Sequence, residues 1–521
     1  MKFPGDILDK EKRKKWSKSS SIKRHDLYNF EAKIDYKYSL EEINKNRKKT
    51  SYLLDTYFFI PQSLQINKNS YNKEQFFSDL NNRIRFKTPQ MSIEGILDQN
   101  NQISPLNVIK RNLKQLEYGN INISITKTIM RELRLLACIV KTTLKGECEF
   151  LLENFQSKKK EHELSDILKS HMDSLKEFIG EMEGIRKKIM KYQIPIQLRD
   201  SFHYSNEYIS LQIEKWFTII LMGLEKQLSR DVQDLIIKFM EKEQAYRESL
   251  NSTLTLKEDS SNEEFSYFEG ITKKYVQGVL YLKKQRKDPQ SSSLQILYSI
   301  AAGFAMFISL FLGFLVLVIF ELNSLPFIIA MVVVYMLKDR IKDNIKGISQ
   351  KAVGFVFPDQ RNDIVDGFFG EKIGESKEKV NFIEPEKIPS EIIKIRQSSK
   401  IRSIEEEGKP EDCLLFRKEI VLFREKIDSL HTRRKDISDV TRFNIQNFLR
   451  YADDPFEKIF AWNANNHQIK SINIAKVYHL NVIMKLITFQ GKKGINVYFK
   501  KYRIIIDQQG IKRVVEPDIT L

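Results

Sequence analysis

The chain has 521 residues, with 86 Lys or Arg against 68 Asp or Glu, a formal net charge of +18, and 41% apolar and 30% charged residues. That apolar share provides for a buried core and excludes disorder along the whole length, while the basic excess points to an anionic partner, lipid headgroup or nucleic acid. Cys138, Cys148 and Cys413 form no CxxC pair, which excludes a disulfide framework and a structural zinc site and fits a reducing compartment.

Residues 1–28 hold nine Lys or Arg against four acids and read as a basic flexible arm, with no apolar stretch of the kind a signal peptide needs. Residues 29–95 read as a small α+β cap. In FEAKIDYKY the residues Phe30, Ala32, Ile34, Tyr36 and Tyr38 alternate with polar ones, TSYLLDTYFFIP is rich in strand formers, and Phe76, Phe77, Leu80 and Ile84 recur at helical spacing.

Residues 105–250 are helical throughout and predict a three-helix bundle, with helices near 123–156, 163–192 and 209–246. Leu168, His171, Leu175, Phe178, Met182, Ile185 and Ile189 step by threes and fours as a heptad seam. Gly146 marks a weak point and Pro195 a turn. A linker covers about 251–261. Residues 261–287 then predict a membrane-proximal amphipathic helix, opened by a capping box of Ser261 and Glu264.

No charged residue occurs from Leu294 to Phe320. Those 27 positions reach about 40 Å as a helix, more than the roughly 30 Å hydrocarbon core. A second uncharged run, 322–337, is 16 residues, about 24 Å. The expectation is a two-helix transmembrane hairpin, the second helix short of full length and extended by snorkelling of Lys338 and Arg340. Its flanks are basic: Lys283, Lys284, Arg286 and Lys287 before it, Lys338, Arg340, Lys342 and Lys346 after it. These residues are read as topology signals that meet lipid headgroups and keep both soluble regions cytoplasmic. Ser299 with Gly303, and Ser309 with Gly313, form small-x-x-x-small pairs for helix packing.

Residues 338–351 predict a basic juxtamembrane helix, and 354–521 a cytoplasmic β-rich α+β domain. Within that domain DGFFGEKIGESKEKVNFIEP reads as strands joined by glycine turns, 417–430 and 439–450 as helices, and the carboxyl end as a meander turning at Gln508-Gln509-Gly510.

Motifs for catalysis are missing. There is no phosphate loop, GxGxxG, HExxH or GxSxG, and Gly491 and Gly494 lie in a basic turn. His162, Glu163 and His171 have the wrong spacing for one helical face, and Asp359, Asp363 and Asp366 lack the pattern of a cation loop. Arg433, Arg434, Lys435, Arg442 and Arg450 fit a solvated face better than a phosphate site. No catalytic, cofactor-binding or metal residue is therefore assigned.

LPFIIAMVVVYMLKDRIKD, YFFIPQSL and KYRIIIDQQGIKRV together resemble segments of an uncharacterised group of bacterial membrane proteins with a two-span hairpin. The resemblance implies an inner-membrane location and brings no activity with it. The expected function is a non-enzymatic scaffold, sensor or assembly component of the bacterial inner membrane. Its partners would be the lipid bilayer, further copies of itself and a cytoplasmic protein, with nucleic acid disfavoured. The alternatives are an oligomeric pore or membrane-disrupting effector, and a membrane-tethered enzyme with a site in the carboxy-terminal domain.

Overall fold

The computed structural model describes residues 20–36, 49–117, 122–155, 161–191, 194–250, 252, 254–256, 261–287, 289–322, 324–398, 410–431, 433, 436–463, 468–489 and 495–517. The arm before residue 20, Gly491, Gly494, Arg434, Lys435 and the side chains of His162 and Glu163 lie outside the described residues.

Alternating patterns form β1 (Ser20–Arg24), β2 (Asn29–Tyr36) and β3 (Lys49–Pro61). The helical spacing around Phe76 holds only over α1 (Lys73–Asp79), which Asn72 and Gln75 open with a full capping box; the chain then extends as β4 (Leu80–Phe86). Helices α2 (Ile93–Leu97) and α3 (Pro105–Glu117) lead to α4 (Ile123–Phe155), α5 (Glu161–Lys191), α6 (Ile196–Leu224) and α7 (Arg230–Ser249). Gly146 does not interrupt α4. The expected helix over 209–246 is instead two. The chain turns back at 225–229, where the Gln233 amide donates to the carbonyls of Glu225 and Leu228, and Phe217 meets Phe239 edge to face at 5.4 Å. On the α5 seam Leu168, Leu175, Phe178, Met182, Ile185 and Ile189 are buried, while His171 is half-buried and the neighbouring Met172 is buried in its place.

Helix α8 (Glu263–Gln277) stops ten residues short of the expectation. Asn262 is its N-cap in a left-handed conformation and makes no side-chain cap bond, so the Ser261–Glu264 box is not formed. Residues 282–287 are a strand, β5 (Leu282–Lys287), because Leu282 and Lys284 face inward from a sheet edge. Helices α9 (Pro289–Ile319) and α10 (Leu325–Val356) follow, then β6 (Gln360–Asp366), β7 (Lys372–Ile383), α11 (Ser390–Gln397), β8 (Glu411–Phe423) and α12 (Arg424–Leu430). The chain ends with β9 (Ile437–Asn444), β10 (Phe456–Asn463), β11 (Gln468–Ala475), β12 (Tyr478–Phe489), β13 (Ile495–Asp507) and β14 (Gly510–Val515). Residues 417–423 and 439–444, expected as helix, are strands. Pairing of β8 with β3 and β7, and of β9 with β2 and β4, overrides their local preference.

The sheets join what the sequence separates. An antiparallel eight-stranded sheet has the order β14-β13-β12-β3-β8-β7-β6-β5, and a four-stranded sheet the order β1-β2-β9-β4. In the large sheet β3 lies between β12 and β8, and in the small sheet β9 lies between β2 and β4, so the two regions are one folded body. Its core lies between the sheets, where Phe58 stacks on Phe443 at 5.6 Å and Phe76 meets Phe416 at 5.2 Å. Gly510, at φ 130°, opens β14 beside the backbone of Leu27; a Cβ there would lie 2.3 Å from the Leu27 carbonyl oxygen. Strand register also identifies one end of the large sheet. Lys287 faces Arg361, and the row of Gln360 and Glu378 continues through Lys418 and Leu54 to Leu486 of β12; Ile383, Cys413, Phe59 and Asn481 form a row five residues farther in the same direction.

The bundle docks through α4. Glu132 is buried between Arg131 at 3.0 Å and Arg433 at 2.6 Å, and the Arg134 guanidinium lies 4.1 Å from the Tyr275 ring. On the α5 side, Glu147 faces Glu94 and His171; burial, with a smaller contribution from Glu94, pushes its pKa from 4.5 to about 7. A carboxyl raised on folding contributes stability that is full below pH 4.5 and lost as pH rises to about 7. Glu147→Gln is expected to flatten that dependence and to stabilise the protein above pH 7 by about 2 kcal/mol. Urea unfolding at pH 5 and pH 8 reads the effect, and an unchanged slope would refute it.

Candidate membrane-inserting hairpin

The longest apolar stretch is carried by α9. Tyr298–Ile319 is 22 residues with a mean hydropathy of 2.6, and only 11% of its most apolar stretch is buried. A core helix of a soluble protein would be mostly covered. Here Phe304, Phe307, Phe311, Phe314 and Val318 are all more than half exposed. Leaving so many large apolar side chains in water is costly, at about 25 cal/mol per Å².

Helix α10 is built differently. Its apolar part, 325–337, is 13 residues, about 20 Å, and charges follow at Lys338, Asp339, Arg340, Lys342, Asp343 and Lys346. Among the described residues one helix, α9, is long and apolar enough to cross a membrane; a second full span over 322–337 is not supported.

The helices run antiparallel. The Lys346 ammonium lies 5.7 Å from the Tyr298 ring, and that contact is 21 residues from the helix end at the turn on either strand of the hairpin, Ile319 on α9 and Leu325 on α10. Residues 338–346 are therefore level with about 298–306, and only the outer part of the hairpin is charge-free on both helices. Lys338 rests 4.2 Å over the ring of Tyr335, which is ten residues from Leu325 and so at a different depth from Tyr298.

Small residues make the seam. Ala301 and Ala305 are each 1% exposed and Ser309 is half-buried, a spacing of four that lets α10 approach, with Val334 packed from the other side; Gly313 is buried as well, but a Cβ there would meet nothing within 4 Å. Of the predicted packing residues, Ser309 and Gly313 lie on this seam. Ser299 and Gly303 are exposed, and the Ser299 hydroxyl donates to the Gln295 carbonyl within its own helix. Ala301 and Ala305 fall outside a Ser/Gly motif, yet their spacing of four with Ser309 and Gly313 is readable in the sequence.

The hairpin is an insertion between paired edge strands. β5 and β6 are antiparallel neighbours, Lys287 facing Arg361, so the chain leaves for α9 and returns from α10 at one point. The basic residues at that base divide. Lys283 and Arg286 are exposed, Lys287 pairs with Asp363 at 2.6 Å, and Lys284 turns inward to Glu378 at 3.0 Å. Lys284 thus pairs its charge inside the body. Asp363 and Asp366, weighed as a cation loop, are committed elsewhere: Asp363 also binds Lys372 at 2.8 Å, and Asp366 binds the buried His431 at 2.8 Å. Burial raises the Asp366 carboxyl, but the His431 hydrogen bond and the Phe368 and Phe369 amides outweigh it and hold its pKa near about 2.

Behind Lys284 runs a buried chain of charge that sequence reasoning missed. Glu378 accepts from Lys284 and from the Ser376 hydroxyl at 2.9 Å, and it faces Lys418 directly across the β7–β8 ladder. The fully buried Lys418 binds Asp439 of the second sheet. Burial raises the Glu378 carboxyl, yet Lys284 and Lys418 together lower it below its usual range; burial likewise depresses the Lys418 ammonium despite Asp439. A signal existed: Lys418 occupies the inward register of Leu414, Phe416, Ile420 and Leu422. The chain of charge ties the hairpin base to both sheets.

No family model, curated protein or solved structure matches this chain. Among the described residues no cluster of His, Cys, Asp or Glu could hold a metal ion. Cys138, Cys148 and Cys413 are buried and form no disulfide.

Proposed function

We propose that this protein is a membrane-anchored scaffold or assembly component, with no chemistry of its own, held by its helical hairpin in a bacterial inner membrane and with its folded body in the cytoplasm. The observation that carries this reading is the exposed apolar helix Tyr298–Ile319 on a hairpin whose two ends converge at one sheet edge. Because entry and return coincide, the whole body stands on one side of the bilayer. The exposed basic residues Lys283 and Arg286, with Lys338, Arg340, Lys342 and Lys346, suit an anionic cytoplasmic leaflet. The part free of charge on both helices, about 20 Å deep, falls short of the roughly 30 Å core, so the hairpin enters as a wedge that does not reach the far side.

A second reading is favoured by the charges on α10. If the hairpin crosses fully, residues 338–346 lie at bilayer depth beside the apolar 298–306 of α9, and several copies would have to turn them to a shared aqueous path. Single cysteines distinguish the two, since the native thiols are buried. In sealed vesicles with the body outside, Lys342→Cys is expected to react with an impermeant maleimide added outside, and Leu322→Cys with none added on either side. Labelling of Leu322→Cys from the lumen, together with ion conductance, would instead establish the oligomeric pore.

A further inference from the structure

We propose that β10 and β11 form a second lipid contact, an arm that lies in the headgroup interface of the same bilayer the helical hairpin enters. The proposal rests on that membrane reading. β10 and β11 pair only with each other among the described residues, Phe456 facing Ala475 and Asn463 facing Gln468. Eight residues at about 3.4 Å each carry the arm some 27 Å from the body. An isolated two-stranded hairpin is marginal in water, so something outside the body must support it.

Both faces of the arm are apolar and exposed. One face presents Phe456, Phe460, Trp462 and Ile469; the other presents Ile459, Ile472 and Ile474. Phe460 is 72%, Ile469 69% and Trp462 62% exposed, all toward the outer end. A protein partner that packs on a sheet covers one face. A fluid medium of intermediate polarity covers both, and Trp with Lys beside it is the composition of a membrane interface. Lys458 and Lys470 are exposed on the arm, opposite a single acid, Glu457, which is held by Lys476 at 3.3 Å. The charge therefore suits anionic headgroups.

Position agrees. The arm joins β12 at Tyr478, eight residues beyond Leu486, which shares a register row with Gln360, and in the same direction along the strands in which the chain leaves Lys287 for α9. Four strand steps separate β12 from β6, and sheet twist of about 20–25° per step turns one across the other. An arm leaving β12 is thereby placed to lie along a surface that the helical hairpin pierces.

The test uses the full chain in vesicles of phosphatidylethanolamine and phosphatidylglycerol, with Trp16→Phe and Trp216→Phe leaving Trp462 as the sole tryptophan. Lipids brominated near the headgroup end of the acyl chain are expected to remove most of the Trp462 emission, and iodide to quench far less than in detergent-free, lipid-free buffer. A parallel chain carrying Leu310→Trp and Trp462→Phe reports the helical hairpin. If Leu310→Trp is quenched and Trp462 stays open to iodide, the arm is not a lipid contact while the membrane reading survives. If neither is quenched, both fail. Trp462 shielded from iodide but untouched by brominated lipid would mean a protein cover, which also overturns the proposal. Phe460→Cys carrying an environment-sensitive dye gives the same readout should Trp216→Phe not fold.

Discussion

Replacing Phe311 and Phe314 together by arginine is expected to move the protein from the membrane to the soluble fraction. Both side chains are exposed on α9, at 59% and 67%, and neither supports the body. Arginine at the centre of an inserted helix costs about 2.5–3.5 kcal/mol, so two cost about 6 kcal/mol, roughly four orders of magnitude in the inserted population. Resistance to carbonate extraction is the measurement, with circular dichroism showing that sheets and bundle persist. Retention of the double variant in carbonate-washed membranes would remove the anchor reading.

Lys418→Met is expected to destabilise the body by about 3–5 kcal/mol, because it leaves the buried Asp439 without its cation and deprives Glu378 of its cross-strand partner. Lys418→Met with Asp439→Leu removes both charges and is expected to recover most of the loss, since an apolar pair of similar volume fits a sandwich core. A double-mutant cycle on urea unfolding measures the coupling. Equal losses in the single and double variants would show that the cluster is packing and not charge compensation.

Much of the local structure was legible from the residues. The alternation around Phe30, the apolar members of the α5 seam, the glycine turn at Gly510 and the uncharged run of α9 all depend on neighbours within a few positions, and they occur where expected. The failures have a common physical origin. Residues 282–287, 417–423 and 439–444 carry charges at spacings that also suit a helix, and only partners far along the chain make them strands. Lys284 looked like a headgroup ligand because its partner, Glu378, stands 94 residues away.

The sequence by itself determined that one helix is long and apolar enough to cross a membrane and that basic residues flank it, since both follow from composition along a continuous segment. Tertiary structure alone decided that the cap and the carboxy-terminal region are one body, and that the hairpin is an insertion between adjacent strands. It also decided which of the basic residues are consumed inside. Sheet pairing is non-local: the register that sets Lys287 opposite Arg361, or Phe59 opposite Cys413, is specified by burial on a shared face and not by any short run of residues.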